Sequence, residues 1–319
     1  MELMDEKIFI NELSSFLNSE VNSTFLVTKK ELREDRNSNA YLRLKLADKT
    51  GDITANVWNN AQPISKLFET GDVIRVRGKV TSYNSQLQLS VEKVRKLEED
   101  EYDLAQYLET TSKDINKLSD TLYDYIENIK NEYLKKLLLN IFDDKQFYTK
   151  FAKAPAAKSW HHNYLGGLLE HTIAVTKICD FISLQYPVNR DLLISGALLH
   201  DIGKVWEYNI QGAIEFTTYG RLVGHIPIAD EFICERAKQI DNFPKDISMK
   251  LRHLILAHHG EYEKGAARLP QTLEAIVLHH ADNLDAQTVG VKQLIASVQN
   301  DEAEWSEYDR LNNRYYFLK

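Results

Sequence analysis

At 319 residues, 43% hydrophobic and 27% charged, the chain is long enough for two domains with separate cores and too apolar to be disordered throughout. No apolar run approaches bilayer-spanning length, and the acidic start MELMDEK lacks the basic end and apolar stretch of a signal peptide, so a cytoplasmic protein without a membrane partner is expected. The formal charge of −8 speaks against indiscriminate nucleic-acid binding, but it averages two unlike parts.

Residues 20–97 hold 14 Lys+Arg against 9 Asp+Glu, a net of +5 that leaves −13 for the rest, and all 10 histidines fall between His161 and His280. A basic, histidine-free front and an acidic, histidine-rich back imply two domains with different tasks. Cys179 and Cys234 lie in apolar helical patterns without CxxC spacing and are expected to be buried thiols.

An amphipathic helix is expected over about residues 5–18, inside an N-terminal segment 1–19. Alternation follows. In "AYLRLKLADKTGDITANVW", Leu42, Leu44 and Leu46 face one way and Tyr41, Arg43 and Lys45 the other; after the "DKTG" turn, Ile53, Ala55 and Val57 face in and Thr54, Asn56 and Trp58 out. "VIRVRGKV" sets Ile74 and Val76 inside and Arg75, Arg77 and Lys79 outside, and "SQLQLSVEKV" follows a turn near Asn84. With a leading strand near Phe25 to Lys30 this makes about five strands, and the helical piece "PISKLFETG" falls between the third and fourth.

That order resembles the OB-fold, so residues 20–97 are expected to form a five-stranded OB-fold β-barrel that binds single strands across its second and third strands. The outer residues Tyr41, Arg43, Lys45, Asn56 and Trp58, with Arg75 and Arg77, suit stacking on bases and tracking of phosphates, roughly 1–3 kcal/mol per stacked base. The same residues also suit a solvated barrel surface or a protein-docking module.

"EEDEYD" opens an acidic linker, 98–112, after which helical periodicity takes over. Residues 113–152 read as two or three amphipathic helices, with Leu118, Leu122, Ile126 and Ile129, then Leu137, Leu138 and Ile141, at helical spacing. Five further helical stretches carry histidines or acids. "GGLLEHTIAVTKICDFI" holds His171; "RDLLISGALLHDIGK" holds His200 and Asp201 near an end that Gly203 is expected to make. "GRLVGHIPIADEFI" holds His225 before Pro227, which should bend or restart the helix. "MKLRHLILAHHG" ends in His258 and His259, and "PQTLEAIVLHHADNLDA", with its proline expected in the first turn, holds Asp282.

Any one of these histidines alone reads as a polar core or surface residue. Together His171, His200, Asp201, His225, His258, His259 and Asp282 offer only imidazole nitrogens and carboxylate oxygens. That donor set suits a catalytic Mn, Fe, Mg or Zn centre better than a structural zinc site closed by thiolates.

The order His171, His200-Asp201, Asp282 resembles the signature of the HD-domain superfamily of helical metal-dependent phosphohydrolases, and His225 with His258-His259 resembles the extra ligands of its two-metal members. The strings "HHNYLGGLLEHT", "GALLHDIGK", "GRLVGHI", "LAHHGEYEKG" and "TLEAIVLHHADNLDA" resemble the YhaM family of 3′-5′ exoribonucleases, which also carries an OB domain ahead of its HD domain. "GAARLP", 265–270, departs from the Gly-Ser-Pro-like run expected there. The resemblance implies a multidomain α+β protein, the barrel followed by an all-α HD domain at 113–300 and an aromatic tail at 301–319.

It further implies two divalent ions, Mn²⁺ first, with Fe²⁺, Mg²⁺ and Zn²⁺ as alternatives. His171, His200 and Asp282 would hold one, His225, His258 and His259 the other, and Asp201 both. Lys204 is expected to meet a phosphate oxygen, or else to serve as a cation at a helix C-terminus. Glu170 is expected to support His171 from behind, Arg268 to touch substrate phosphate, and His161, His162, His279 and His280 to be structural or solvent-facing.

The function expected is 3′-5′ hydrolysis of single-stranded RNA, and of single-stranded DNA as a second substrate, to nucleoside monophosphates. The alternatives are an HD phosphohydrolase of a small nucleotide or cyclic dinucleotide whose barrel serves assembly, and a non-catalytic nucleic-acid-binding protein. The aromatic tail "EWSEYDRLNNRYYFLK" is expected to pack on its own domain or on a neighbouring subunit, in a homo-oligomer.

Overall fold

The computed structural model describes residues 7–298 and 303–319, apart from 36, 85, 159, 211–213, 310 and 311. The first residues of the expected N-terminal helix, 5 and 6, and parts of the tail lie outside the described residues. The chain divides into two compact units, Met1–Glu109 with Ile210–Glu215, and Thr110–Asn209 with Phe216–Lys319.

The first unit is a closed barrel of strands β1 (Glu20–Glu34), β2 (Ala40–Asp48), β3 (Gly51–Val57), β4 (Val73–Tyr83) and β5 (Gln86–Lys96), in the order β1-β2-β3-β5-β4. Alternation explains it: Leu42, Leu44, Leu46, Ile53, Ala55 and Val57 all point into the barrel with Phe25, Ile74, Val76 and Leu89. All neighbours are antiparallel except β3 and β5, whose parallel pairing closes the cylinder. A short helix, α1 (Ala61–Ser65), fills the β3–β4 connection, as the order of elements requires.

Two details differ from the sequence reading. The leading strand is 15 residues long, because it bends to pair with β4 through Glu20–Leu26 and with β2 through Leu26–Glu34. The N-terminal helix is a 3₁₀ segment, Ile10–Phe16, that contributes only Leu13 to the buried core. In the acidic stretch 98–112, Tyr107 is buried with Leu26, Val73 and Leu97, and its hydroxyl lies 2.5 Å from Thr24 Oγ1.

The second unit is helical. Helices α2 (Ile115–Glu127), α3 (Glu132–Phe142) and α4 (Lys145–Lys153) begin at Asp114, Asn131 and Asp144, whose side chains accept hydrogen bonds from first-turn N–H groups. They cover α5 (Gly167–Ser183) and α6 (Arg190–Leu199), whose apolar residues are buried on nearly every side. After α6 come α7 (Lys204–Glu207), a small two-stranded sheet of β6 (Tyr208–Ile210) and β7 (Ile214–Phe216), of which Ile210–Glu215 fall in the first unit, and then α8 (Thr218–Val223), α9 (His225–Lys238), α10 (Lys245–Ala257) and α11 (Leu273–Ser297).

The sheet was not expected from the periodicity, since three-residue strands are too short to show alternation. Pro270 does not open α11; the helix starts at Leu273 with Thr272 as its cap, the hydroxyl accepting from Ala275 N–H. Pro227 does sit in the first turn of α9, where its missing N–H costs nothing. Among the described residues no helix is long and apolar enough to cross a membrane.

Candidate metal centre and nucleic-acid face

Five helices deliver their polar ends to one place. His171 lies in the first half of α5, His200 and Asp201 follow α6, His225 opens α9, His258 and His259 follow α10, and Asp282 projects from α11. Gly203 acts differently from a helix stop, since its φ is −62° and α6 has already ended at Leu199. Glycine is needed because a Cβ there would lie 2.0 Å from the His225 carbonyl oxygen. The missing side chain lets the start of α9 close onto the His200-Asp201 turn.

The side chains divide around Asp201. Its Oδ2 is 3.5 Å from His171 Nε2 and 3.3 Å from His200 Nε2, while its Oδ1 is 3.5 Å from both His225 Nε2 and His258 Nε2. Asp282 Oδ1 joins the first side at 3.1 Å from His171 Nε2 and 3.9 Å from His200 Nε2. Donor atoms of His171, His200 and Asp282 lie within 4.8 Å of one another, and so do those of His225, His258 and His259. The nitrogens His171 Nε2 and His200 Nε2 approach to 3.3 Å. Asp201 Oδ1, His225 Nε2 and His258 Nε2 are buried without a hydrogen-bond partner. Orphaned buried acceptors are costly, and a divalent cation satisfies all of them at once, so the residues fit the ions that the donor set implies.

Each imidazole is aimed by its other nitrogen. Nδ1 donates to Asp285 Oδ2 in His171 (2.7 Å), to Ala197 O in His200 (2.8 Å), to Ile255 O in His258 (2.7 Å) and to Lys264 O in His259 (2.7 Å). In His225, Nδ1 and the backbone N–H both meet Glu207 Oε1, at 3.0 and 3.1 Å. With Nδ1 engaged in every ring, Nε2 is the atom left facing inward, and it offers a lone pair whenever the ring is neutral.

Charge in this pocket is strongly coupled. Burial opposes ionisation of Asp201, but Lys204 and His200 and the hydrogen bonds of His171 and His200 hold its carboxyl well below the usual range. Asp282 is likewise held low against burial, by His171 and then His200. Burial disfavours charge on His171, yet Asp201, Asp282 and Asp285 raise its pKa well above that of free imidazole. Burial dominates on the other side, lowering His258 and pushing His259 down to about 3.

Several expected roles are redistributed. Glu170 does not back His171: it accepts from Thr111 Oγ1 at 2.5 Å and Tyr164 OH at 3.0 Å and pairs with Lys113 at 3.0 Å. Asp285 backs His171 instead, and it also accepts from His162 Nε2 at 3.0 Å, whose Nδ1 meets Tyr164 OH at 2.8 Å. His162 is therefore structural but far from solvent, while His161 is half-buried with its ring 5.3 Å from that of His171. Burial lowers its pKa to about 3.

His279 is structural, its Nδ1 meeting His258 O at 2.8 Å, and His280 is exposed. Lys204 is buried with Nζ 2.5 Å from Asp201 Oδ2, at the start of α7 and not at a helix C-terminus. Arg268 is exposed beyond α10. Cys179 is buried, as expected, and Cys234 is partly exposed.

On the barrel, Tyr41 and Trp58 stack with centroids 4.9 Å apart and planes at 23°, and Trp58 is 51% exposed. Arg43 is exposed two residues along β2 from Tyr41, in register opposite Glu31 on β1 and Asn56 on β3. Lys45 is exposed and pairs with Asp52 at 3.1 Å. Asn56 is buried, donating to Gln88 Oε1 at 3.0 Å, so it braces β3 against β5 and is not free to read a ligand. Arg75 and Arg77 lie on β4, which pairs with β1 and β5 and not with β2 or β3. Arg75 is half-buried, and Arg77 is engaged by Glu20 at 2.8 Å. Lys29 and Arg33, both paired with Glu31, extend the β2 face on β1 and were hidden by that strand's irregular alternation.

A five-stranded OB barrel joined to a helical unit centred on His and Asp donors defines an OB-plus-HD hydrolase. The HD domain family matches residues 168–287 and the OB-fold nucleic acid binding domain family residues 26–97. The chain is 31% identical over 282 residues to the 3′-5′ exoribonuclease YhaM of Bacillus subtilis (strain 168), covering 88% of this chain and 89% of that one. It is 32% identical over 286 residues to YhaM of Shouchella clausii (strain KSM-K16), covering 88% of each. Among solved structures, the second OB-fold domain of replication protein A from Methanococcus maripaludis is similar at 26% identity and TM-score 0.23, over 29% of this chain and 96% of that one. The protein belongs to the YhaM 3′-5′ exoribonuclease family.

Proposed function

We propose that the protein is a 3′-5′ exoribonuclease that holds single-stranded RNA on the β2–β3 face of its barrel and releases nucleoside monophosphates at the His-Asp centre, with single-stranded DNA as a second substrate. The observation that carries this reading is the division of Asp201, one oxygen facing His171 and His200, the other His225 and His258. Such a carboxylate suits two divalent ions, one held by His171, His200 and Asp282 and the other by His225, His258 and His259, with Asp201 shared. Mn²⁺ comes first by the family resemblance, and the all-N/O set also suits the alternatives Fe²⁺, Mg²⁺ and Zn²⁺.

When bound, the ions supply the Lewis acidity that acidifies water and neutralises phosphate charge. The chain's own groups do the rest. Water adds to phosphorus and the 3′-oxygen of the preceding nucleotide leaves with the proton, so negative charge builds on the non-bridging oxygens. The Lys204 ammonium, beside Asp201, would stabilise that charge, and the exposed Arg268 would hold substrate phosphate. Nδ1 contacts on five histidines keep the donors oriented, so little reorganisation accompanies the reaction. Stacked Tyr41 and Trp58 offer a platform that any base can extend, and Arg43 and Lys45 follow the backbone.

The test is a 5′-labelled single-stranded RNA incubated with purified protein and Mn²⁺, with and without EDTA. Stepwise 3′ shortening that EDTA abolishes is expected; intact RNA beside hydrolysed small nucleotides overturns the reading. The exposed tail aromatics Trp305, Tyr308, Tyr315 and Phe317 support a homo-oligomer, measurable by light scattering, and a cytoplasmic setting fits the substrate.

A further inference from the structure

Beside the centre stands one imidazole that neither set of donors uses. His161 Nδ1 is buried and has no hydrogen-bond partner, the same condition as Asp201 Oδ1, His225 Nε2 and His258 Nε2. The residue as a whole is half-buried, while Nδ1 itself is shielded from solvent. It leans on His171 at 5.3 Å and 51°, within electrostatic reach of Asp282 and Lys204.

Its two neighbours hold it there. Trp160 packs so closely on α11 that a Cβ at Gly290 would lie 2.2 Å from the indole. His162 has a left-handed backbone, φ 48°, unusual for a residue with a side chain, and its ring is pinned between Tyr164 and Asp285. A strained backbone beside a satisfied ring and an orphaned one is a pattern of sites where a ligand completes the bonding. His161 belongs to neither of the donor triads on either side of Asp201, which with Asp201 already offer four protein groups each.

We propose that His161 is a substrate-contacting residue whose imidazole hydrogen-bonds a non-bridging oxygen of the scissile phosphodiester. The assignment rests on the phosphodiesterase reading of the centre. It explains why a short loop outside all five donor-bearing helices is anchored on both sides of one histidine. A hydrogen bond to a charged phosphate oxygen implies a loss of about 10- to 100-fold in kcat/KM when it is removed.

The test compares the full-length protein with His161→Ala and His161→Asn. Measurements are bound Mn²⁺ per chain, the rise in melting temperature caused by inorganic phosphate, and kcat/KM on labelled RNA and on bis(p-nitrophenyl) phosphate. Expected are unchanged Mn²⁺ content, a smaller phosphate-induced rise and a matching kinetic loss on both substrates in His161→Ala, with partial recovery in His161→Asn, which keeps a donor near the Nδ1 position. Loss of Mn²⁺ would make His161 a ligand and overturn the proposal, as would kinetics and phosphate response equal to wild type. If wild type leaves RNA intact but cleaves the small diester, the exoribonuclease reading falls, and the diester and phosphate measurements still decide His161.

Discussion

The two ends of the proposed reaction path are built on opposite principles. In the candidate centre His171, His200, Asp201 and His258 are buried, His225, His259 and Asp282 are half-buried, and each imidazole is aimed by a second hydrogen bond, so the chain itself holds the geometry. On the barrel the working groups are exposed, Trp58 stacks on Tyr41, and Lys45 pairs with Asp52 in solvent, where ion pairs are weak and exchange easily. Chemistry at phosphorus needs fixed geometry, whereas a strand sliding through needs contacts that tolerate every base. Substitutions should therefore fall steeply in the centre and gently on the barrel.

Asp201→Ala carries the largest expected effect. It removes the group between both donor sets, so hydrolysis should drop to the detection limit with RNA binding by filter retention unchanged. Parallel loss of binding would break the contrast between the two regions. Next is Asp285→Ala, which frees His171 Nδ1 and His162 Nε2 together. Loss of such a supporting carboxylate typically costs about 10- to 100-fold in metal affinity or activity, readable as the Mn²⁺ concentration needed for half-maximal rate. Chelation should also lower the melting temperature, since ions bound only by the folded state stabilise it. Trp58→Ala should be milder, weakening RNA binding by about 1–3 kcal/mol. On a dinucleotide, which leaves no further base for the platform once its phosphodiester is in the centre, Trp58→Ala should match the wild-type rate.

These same regions differ in how far sequence alone reveals them. The barrel was legible as alternation, because Leu42, Leu44 and Leu46 and their partners repeat at a period of two. Its surface was less so: whether Asn56 points at ligand or at Gln88 depends on the parallel β3–β5 pairing, which no local pattern encodes. In the centre, His171, His200, Asp201, His225, His258, His259 and Asp282 were all singled out, and the structure sets six of them in two triads, with Asp201 near histidines of both. Asp285 was missed although it stands one turn after Asp282 on α11, a spacing that places both on one helix face. Glu170, next to His171 in sequence, was chosen instead, but consecutive helical residues point about 100° apart, which turns it to Thr111 and Tyr164. The role of Gly203 was invisible because it depends on where a distant helix begins.

The smallest expected effects come from two arginines that looked equivalent in sequence. Arg43 is exposed on β2, in register with Glu31 on β1 and Asn56 on β3, and has no ion-pair partner among the described residues. Arg77 is exposed on β4 and spends its guanidinium on Glu20, which its Nε and Nη2 both approach, at 3.3 and 2.8 Å. A phosphate reaching Arg77 has to displace that carboxylate, whereas one reaching Arg43 displaces only water. Arg43→Ala should therefore weaken RNA binding and reduce the salt slope of log K by about one phosphate contact, roughly 0.7 for a single strand. Arg77→Ala should leave both the affinity and the slope within error, and its stability cost should stay within about 1 kcal/mol, as for other exposed ion pairs. Titration of RNA at several salt concentrations separates the two, and an Arg77 slope change equal to that of Arg43 would move the binding face round to β4.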